Sequence, residues 1–149
     1  MIDSQNSRSS DSFAANASNA SGASEYVAGT CNIGPDEIKR RKTFAIAGFV
    51  FFLVSLIGAF SPHATHTTRL GVAIPAMLFA TGFVQARKKF CLAFGFAGTF
   101  NFSKVGQINK VATAEERKAD RITAAKILIQ SLLIAAILTG VVEALPLRK

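Results

Sequence analysis

Three stretches of this chain carry almost no charge, and they constrain it more than anything else. Phe44 to Phe60 reads FAIAGFVFFLVSLIGAF and Leu70 to Ala86 reads LGVAIPAMLFATGFVQA; Ile127 to Leu145 reads ILIQSLLIAAILTGVVEAL, with Glu143 its one ionisable group. A helix needs about 20 apolar residues, within a range of roughly 17 to 25, to cross the hydrocarbon core of a bilayer. All three runs satisfy that length, and none has the charged face of a helix resting on a soluble core. The 149 residues leave too little polar sequence to wrap three such helices. The predicted fold class is a mainly α integral membrane protein, with transmembrane helices at about 43–60, 69–86 and 126–145.

Half the residues are hydrophobic, yet the formal charge is +8. Apolar and basic together fit two classes, a membrane protein with basic loops or a nucleic-acid binder. The placement of the cations separates them. Lys39 to Lys42 precede the first run and Arg87 to Lys89 follow the second. Lys104, Lys110, Arg117, Lys118, Arg121 and Lys126 lie between the second and third. The loop SPHATHTTR between the first two runs has only Arg69, at its end. Loops rich in Lys and Arg stay on the cytoplasmic side. That rule predicts a cytoplasmic N-terminus, an outer first loop, a cytoplasmic segment 87–125 and a C-terminus on the opposite side. It accounts for the basic balance without nucleic acid, and no aromatic and basic reading surface accompanies the charges. The PLRK ending, with two cations outside, goes against the rule.

The segment RKKFCLAFGFAGTFNFSK, 87–104, is apolar but short. Its apolar part is about 13 residues, which as a helix reaches roughly 20 Å against a core of about 30 Å. Large residues recur at every second position, Phe90, Leu92, Phe94, Phe96, Phe100 and Phe102, with small or polar ones between. Such alternation predicts a strand. A lone strand cannot sit in hydrocarbon, where its amides have no partners. An interfacial extended or hairpin segment at about 90–102 is therefore expected, with a turn at Ala97–Gly98 and Glu25 to Ile33 as its neighbour. An interfacial helix and a fourth span are the competing readings.

Helix ends are marked. Gly34-Pro35-Asp36-Glu37 is a start signal, with proline in the first turn and two acids at the positive end of the dipole. Thr113 with Glu116 forms a capping-box pattern that starts a final helix of about 30 residues. Pro75 should kink the second span. Small residues (Gly48, Gly58, Gly71, Gly82, the pair Ala76 and Ala80, the pair Ala136 and Gly140) suit close helix approach in lipid. Residues 1–30, rich in Ser, Asn and Ala, read as a flexible tail, and 31–149 as a single helical membrane domain.

Few residues offer chemistry. Cys31 and Cys91 are the two cysteines, both assigned to the cytoplasmic side, and they meet if 25–33 pairs with 90–102. They are a thiol pair or half a metal site on one reading, and two packed small side chains on the other. His63, His66, Arg69 and Glu143 fall near the outer end, where Glu143 can reach water or pair with Arg69. Gln130, Ser131 and Thr139 lie inside the third span and are expected to bond across helices. No phosphate loop, zinc-protease motif or nucleophile triad is present. No catalytic, cofactor-binding or metal residue is assigned, and no cofactor. The expectation is a non-enzymatic accessory or structural subunit of a larger membrane complex, with the lipid bilayer and other proteins as partners. The alternatives are a small redox or metal-handling membrane protein using Cys31 and Cys91, or a homo-oligomeric channel or carrier.

Overall fold

The computed structural model describes residues 26–104 and 107–145. Helix α1, Pro35–Ala59, begins where GPDE places it: Gly34 is the extended cap, Pro35 opens the first turn, and Asp36 and Glu37 stand in it. It ends at Phe60, ahead of Ser61-Pro62, because proline disfavours helical geometry in the residue before it. Thr65 caps the short α2, His66–Leu70, by accepting the amide of Thr68 at 3.3 Å. Helix α3, Ala73–Lys88, follows after a break at Gly71–Val72. Pro75 explains the break, since its ring would collide with the carbonyl four residues back, that of Gly71. The chain passes the break on tighter bonds, Val72 N–H to Arg69 O and Ile74 N–H to Gly71 O.

Lys89 caps α3 in the left-handed region, at φ 52°. Then come helix α4, Leu92–Ala97, and strand β1, Thr99–Phe100, which pairs antiparallel with β2, Asn109–Lys110. Helix α5, Ala114–Ala144, starts on the expected capping box: Thr113 accepts the Glu116 amide while the Glu116 carboxylate accepts the Thr113 amide. The apolar run expected at 126–145 is the later part of this one helix, with Leu145 as its extended cap.

The alternating segment departs from expectation. Residues 92–97 are helical, and extended pairing survives only from Thr99 onward. The buried positions include Cys91, Gly95 and Gly98, a helical spacing, while Ala93, Phe96 and Ala97 are exposed. The alternation of large and small side chains is thus not an alternation of inside and outside. Phe90 decides the matter, because its fully buried ring lies against Gly95. A Cβ there would sit 2.6 Å from the ring and 3.0 Å from the Ala124 Cβ. The turn expected near Ala97–Gly98 does form, with Gly98 at φ +67°. Of the expected neighbour, 25–33, Glu25 lies outside the described residues and only the far end pairs with this segment. Ile33 bridges Asn101 in parallel, with Gly34 N–H to Asn101 O at 2.7 Å and Asn101 N–H to Asn32 O at 2.9 Å.

Helix α3 lies between α1 and α5. Gly48 and Gly82 bring α1 and α3 into backbone contact: a Cβ on Gly48 would collide with the Phe79 backbone, and one on Gly82 would come 2.7 Å from the Ala45 nitrogen. Ala76 and Ala80 are fully buried. One apolar cluster joins Phe52, Ala59, Val72, Ala76, Ala135 and Val142; a second joins Val84, Phe90, Ala124 and Ile127. Three segments are long and apolar enough to cross a membrane: Pro35–Ala59, His66–Lys88 and Ala114–Ala144. Only 22%, 33% and 28% of their apolar windows is buried, the middle segment most, so most residues of each are at least partly exposed.

Candidate functional site

Contacts divide the molecule into two polar ends. At the basic end, Tyr26 to Gly34 form a strap across the starts of α1, α4 and α5. The strap turns on Gly29, at φ +70°, between Val27 and Cys31, whose amides and carbonyls bond each other. Asp120, fully buried on α5, accepts the Gly29 amide at 2.7 Å and the Tyr26 hydroxyl at 2.9 Å. The Thr123 hydroxyl donates to Gly29 O at 2.6 Å, and the Tyr26 ring stacks on Phe100 at 4.6 Å. Burial, then the bond to the Asp120 carboxylate, push the Tyr26 phenol well above the ordinary tyrosine range.

Asn32 is the other anchor. Its side-chain amide behaves as a peptide group, donating to Cys91 O at 3.2 Å and accepting the Cys91 amide at 2.7 Å. Asn32 is fully buried, as is Asn101, whose side chain donates to Lys104 O and accepts the Ser103 amide. Arg41 Nη2 stands 3.0 Å from Cys91 Sγ and 3.6 Å from Glu37 Oε2, and Glu37 is buried. The two sulfurs have different neighbours, Arg41 for Cys91 and the Ile33 carbonyl, at 3.8 Å, for Cys31. Among the described residues no group of three or more His, Cys, Asp or Glu side chains could hold a metal ion.

At the far end, Arg69 is only 1% exposed. Its guanidinium donates to Ala59 O at 3.3 Å, Glu143 O at 3.2 Å and Leu145 O at 2.8 Å, and lies 5.0 Å from the Phe60 ring. These carbonyls belong to the C-terminal ends of α1 and α5, where helix dipoles are negative and carbonyls lack intrahelical donors. The expected Arg69 to Glu143 carboxylate pair is therefore replaced. Arg69 takes backbone oxygens, and the Glu143 carboxylate meets His66 Nδ1 at 3.1 Å. His63 is exposed and stands outside this set. Ser131 and Thr139 do not bond across helices. They donate to Ile127 O and Ala135 O of their own helix, at 2.9 and 2.8 Å. Gln130 is exposed and borders a polar hollow of about 400 Å3 with Thr30, Arg87, Lys88 and Lys126.

Sequence reasoning missed Asn32, Glu37, Asn101 and Asp120 as anchors. Asp120 had a signal, since it continues the buried stripe of Ala124, Ile127 and Ser131 at helical spacing.

Two long grooves mark the apolar surface. One of about 460 Å3 runs between α3 and α5, over Ala73, Met77, Leu132, Ala136 and Gly140 to Glu143. The other, about 410 Å3, runs between α1 and α3. Comparison with protein-family models, with curated proteins and with solved structures finds no match to this chain. The fold itself defines the class: a small, mainly helical protein with three helices long and apolar enough to cross a membrane.

Proposed function

We propose that this chain is a non-catalytic accessory or structural subunit of a larger membrane complex, seating a partner's helix in the groove between α3 and α5. The observation that carries this is Gly140. A glycine inside a helix costs about 1 kcal/mol relative to alanine, and apart from its chain neighbours and its own helix backbone nothing in the described chain lies within 4 Å of where its Cβ would be. Ala136, one turn earlier, is exposed beside it. Small residues one turn apart let a second helix come close in lipid, where packing rather than the hydrophobic effect drives association. The Glu143 Oε1 at the far end of the same groove is buried without a hydrogen-bond partner among the described residues. Ser131 and Thr139 satisfy their hydroxyls on their own helix, which favours a packing role over transport.

The orientation belongs to the same reading: the basic end, with the strap, on the cytoplasmic side, and the Arg69 end opposite. Lipid covers the remaining apolar surface, including Ile46, Ile57, Ile129 and Ile137.

Native mass measurement after mild extraction from the chain's own membrane tests the proposal. A heteromeric assembly that Gly140→Leu weakens, and that Gly58→Leu at another open glycine leaves intact, is the expected result. A closed homo-oligomer would favour the channel or carrier. A bound metal or haem that is lost when Cys31 and Cys91 become serine would favour the thiol reading.

A further inference from the structure

We propose that the groove between α1 and α3 holds one anionic phospholipid, its phosphate between Lys42 and Arg87 and one acyl chain laid along the groove. This rests on the helices crossing a bilayer, and is independent of any partner subunit. The shape comes from the helix contact. Gly82 brings α3 onto the Ala45 backbone, so the floor of the groove is built of short side chains, Ala45 and Ala86. Ile46 and Phe49 form one wall, and Phe79 and Phe83 the other. Phe49 and Phe79 meet across the groove, 5.4 Å between centroids, and close its inner end, while Phe79 and Phe83 are 5.7 Å apart along one wall.

Lys42 and Arg87 close the groove at the basic end. Among the described residues neither has a hydrogen-bond or ion-pair partner. Their neighbours are engaged: Lys39 with Asp36 at 3.8 Å, Arg40 with Glu37 at 3.9 Å, and Arg41 with Glu37 and Cys91. The hollow on the opposite face of the same helix pair is smaller, about 210 Å3, and its Arg41 and Gln85 already serve Cys91 and the Leu92 amide. Of these two hollows, the larger combines an apolar trough with two cations that have no side-chain partner among the described residues.

An acyl chain leaving other lipid for this trough gains no hydrophobic free energy, because both surroundings are apolar. Selectivity must come from the headgroup. Basic pockets at the ends of membrane helices select anionic lipid, and a guanidinium gives phosphate two parallel donors. The trough fixes where the lipid stays, and the cations fix which lipid it is.

The full chain in a zwitterionic detergent, given equal phosphatidylcholine and phosphatidylglycerol with identical acyl chains, is read by native mass spectrometry. One phosphatidylglycerol should be retained in preference. Lys42→Gln and Arg87→Gln should each lower that retention about fivefold, and the double variant should abolish the preference. Lys104→Gln combined with Lys110→Gln removes equal charge away from the groove and should leave the preference intact. Ala86→Leu raises the floor without changing charge and should displace the lipid; if it fails to fold, Ile46→Phe on the wall replaces it. Equal retention of the two lipids by the native chain would overturn the proposal, as would equal losses in the two double variants. Liposome flotation separates either result from a chain that never enters a bilayer.

Discussion

Asn32 does the work of a strand partner with a single side chain. Its amide satisfies both the N–H and the C=O of Cys91 in a fully buried site. Asn32→Leu leaves the Cys91 N–H buried and unpaired, at a cost of about 1–3 kcal/mol, while the Cys91 carbonyl keeps the Gly95 amide at 2.9 Å. The variant should unfold at a clearly lower temperature in detergent, and unchanged melting would show that the clasp does not hold the strap. Tyr26 makes a pH-dependent contribution. Its phenol titrates higher in the folded chain than in the unfolded one, so the unfolded chain gives up this proton first. The stabilisation is complete below the ordinary tyrosine range, about pH 10, and is lost as pH climbs beyond it. Tyr26→Phe should cost about 1 kcal/mol at neutral pH. It should also flatten the alkaline limb of a stability profile measured by denaturant unfolding. An alkaline limb that persists in the variant would assign it to another group.

At the scale of elements, α4 is the instructive case. Phe90 to Phe102 alternates so regularly that period two looks decisive, yet the segment curls into a helical turn around Phe90. Sequence periodicity reports which side chains are large, whereas burial depends on which neighbour is close. Gly95 is the residue that chooses, because only a bare Cα lets the Phe90 ring lie beneath it. Gly95→Val should cost about 1–3 kcal/mol through overpacking, while Ala93→Ser and Ala97→Ser, on the exposed side, should be nearly silent. Spin labels placed singly along 91–98 should show oxygen accessibility with a period near 3.6 residues; a period of two would falsify the helix. Local signals fared better where the chemistry is self-contained. The Gly34–Glu37 start, the Thr113–Glu116 box and the Pro75 break each involve only residues a turn apart, and each lies where the sequence places it. The Asp120 and Asn32 anchors join residues 91 and 59 positions apart, and no local pattern names such partners.

For the molecule as a whole, the three long helices were legible because hydropathy over 17 or more residues needs no knowledge of neighbours. Their pairing was not, and Arg69 shows why. It reads as a stray cation in the outer loop, but serves as a shared cap for two helices. The gathering of Lys and Arg at one end predicts that a reporter after Lys110 and one near Thr65 lie on opposite sides of the membrane. Reporters reading the same side would end the three-span topology. Arg69 also imposes a timetable. Its acceptor at Ala59 is made before it, but those at Glu143 and Leu145 lie 74 and 76 residues downstream. At roughly 5–20 residues per second, the ribosome needs about 4–15 s to supply them. Throughout that interval the growing chain holds a guanidinium with one of its three final acceptors made. The shared cap is therefore completed only once the last helix has been made.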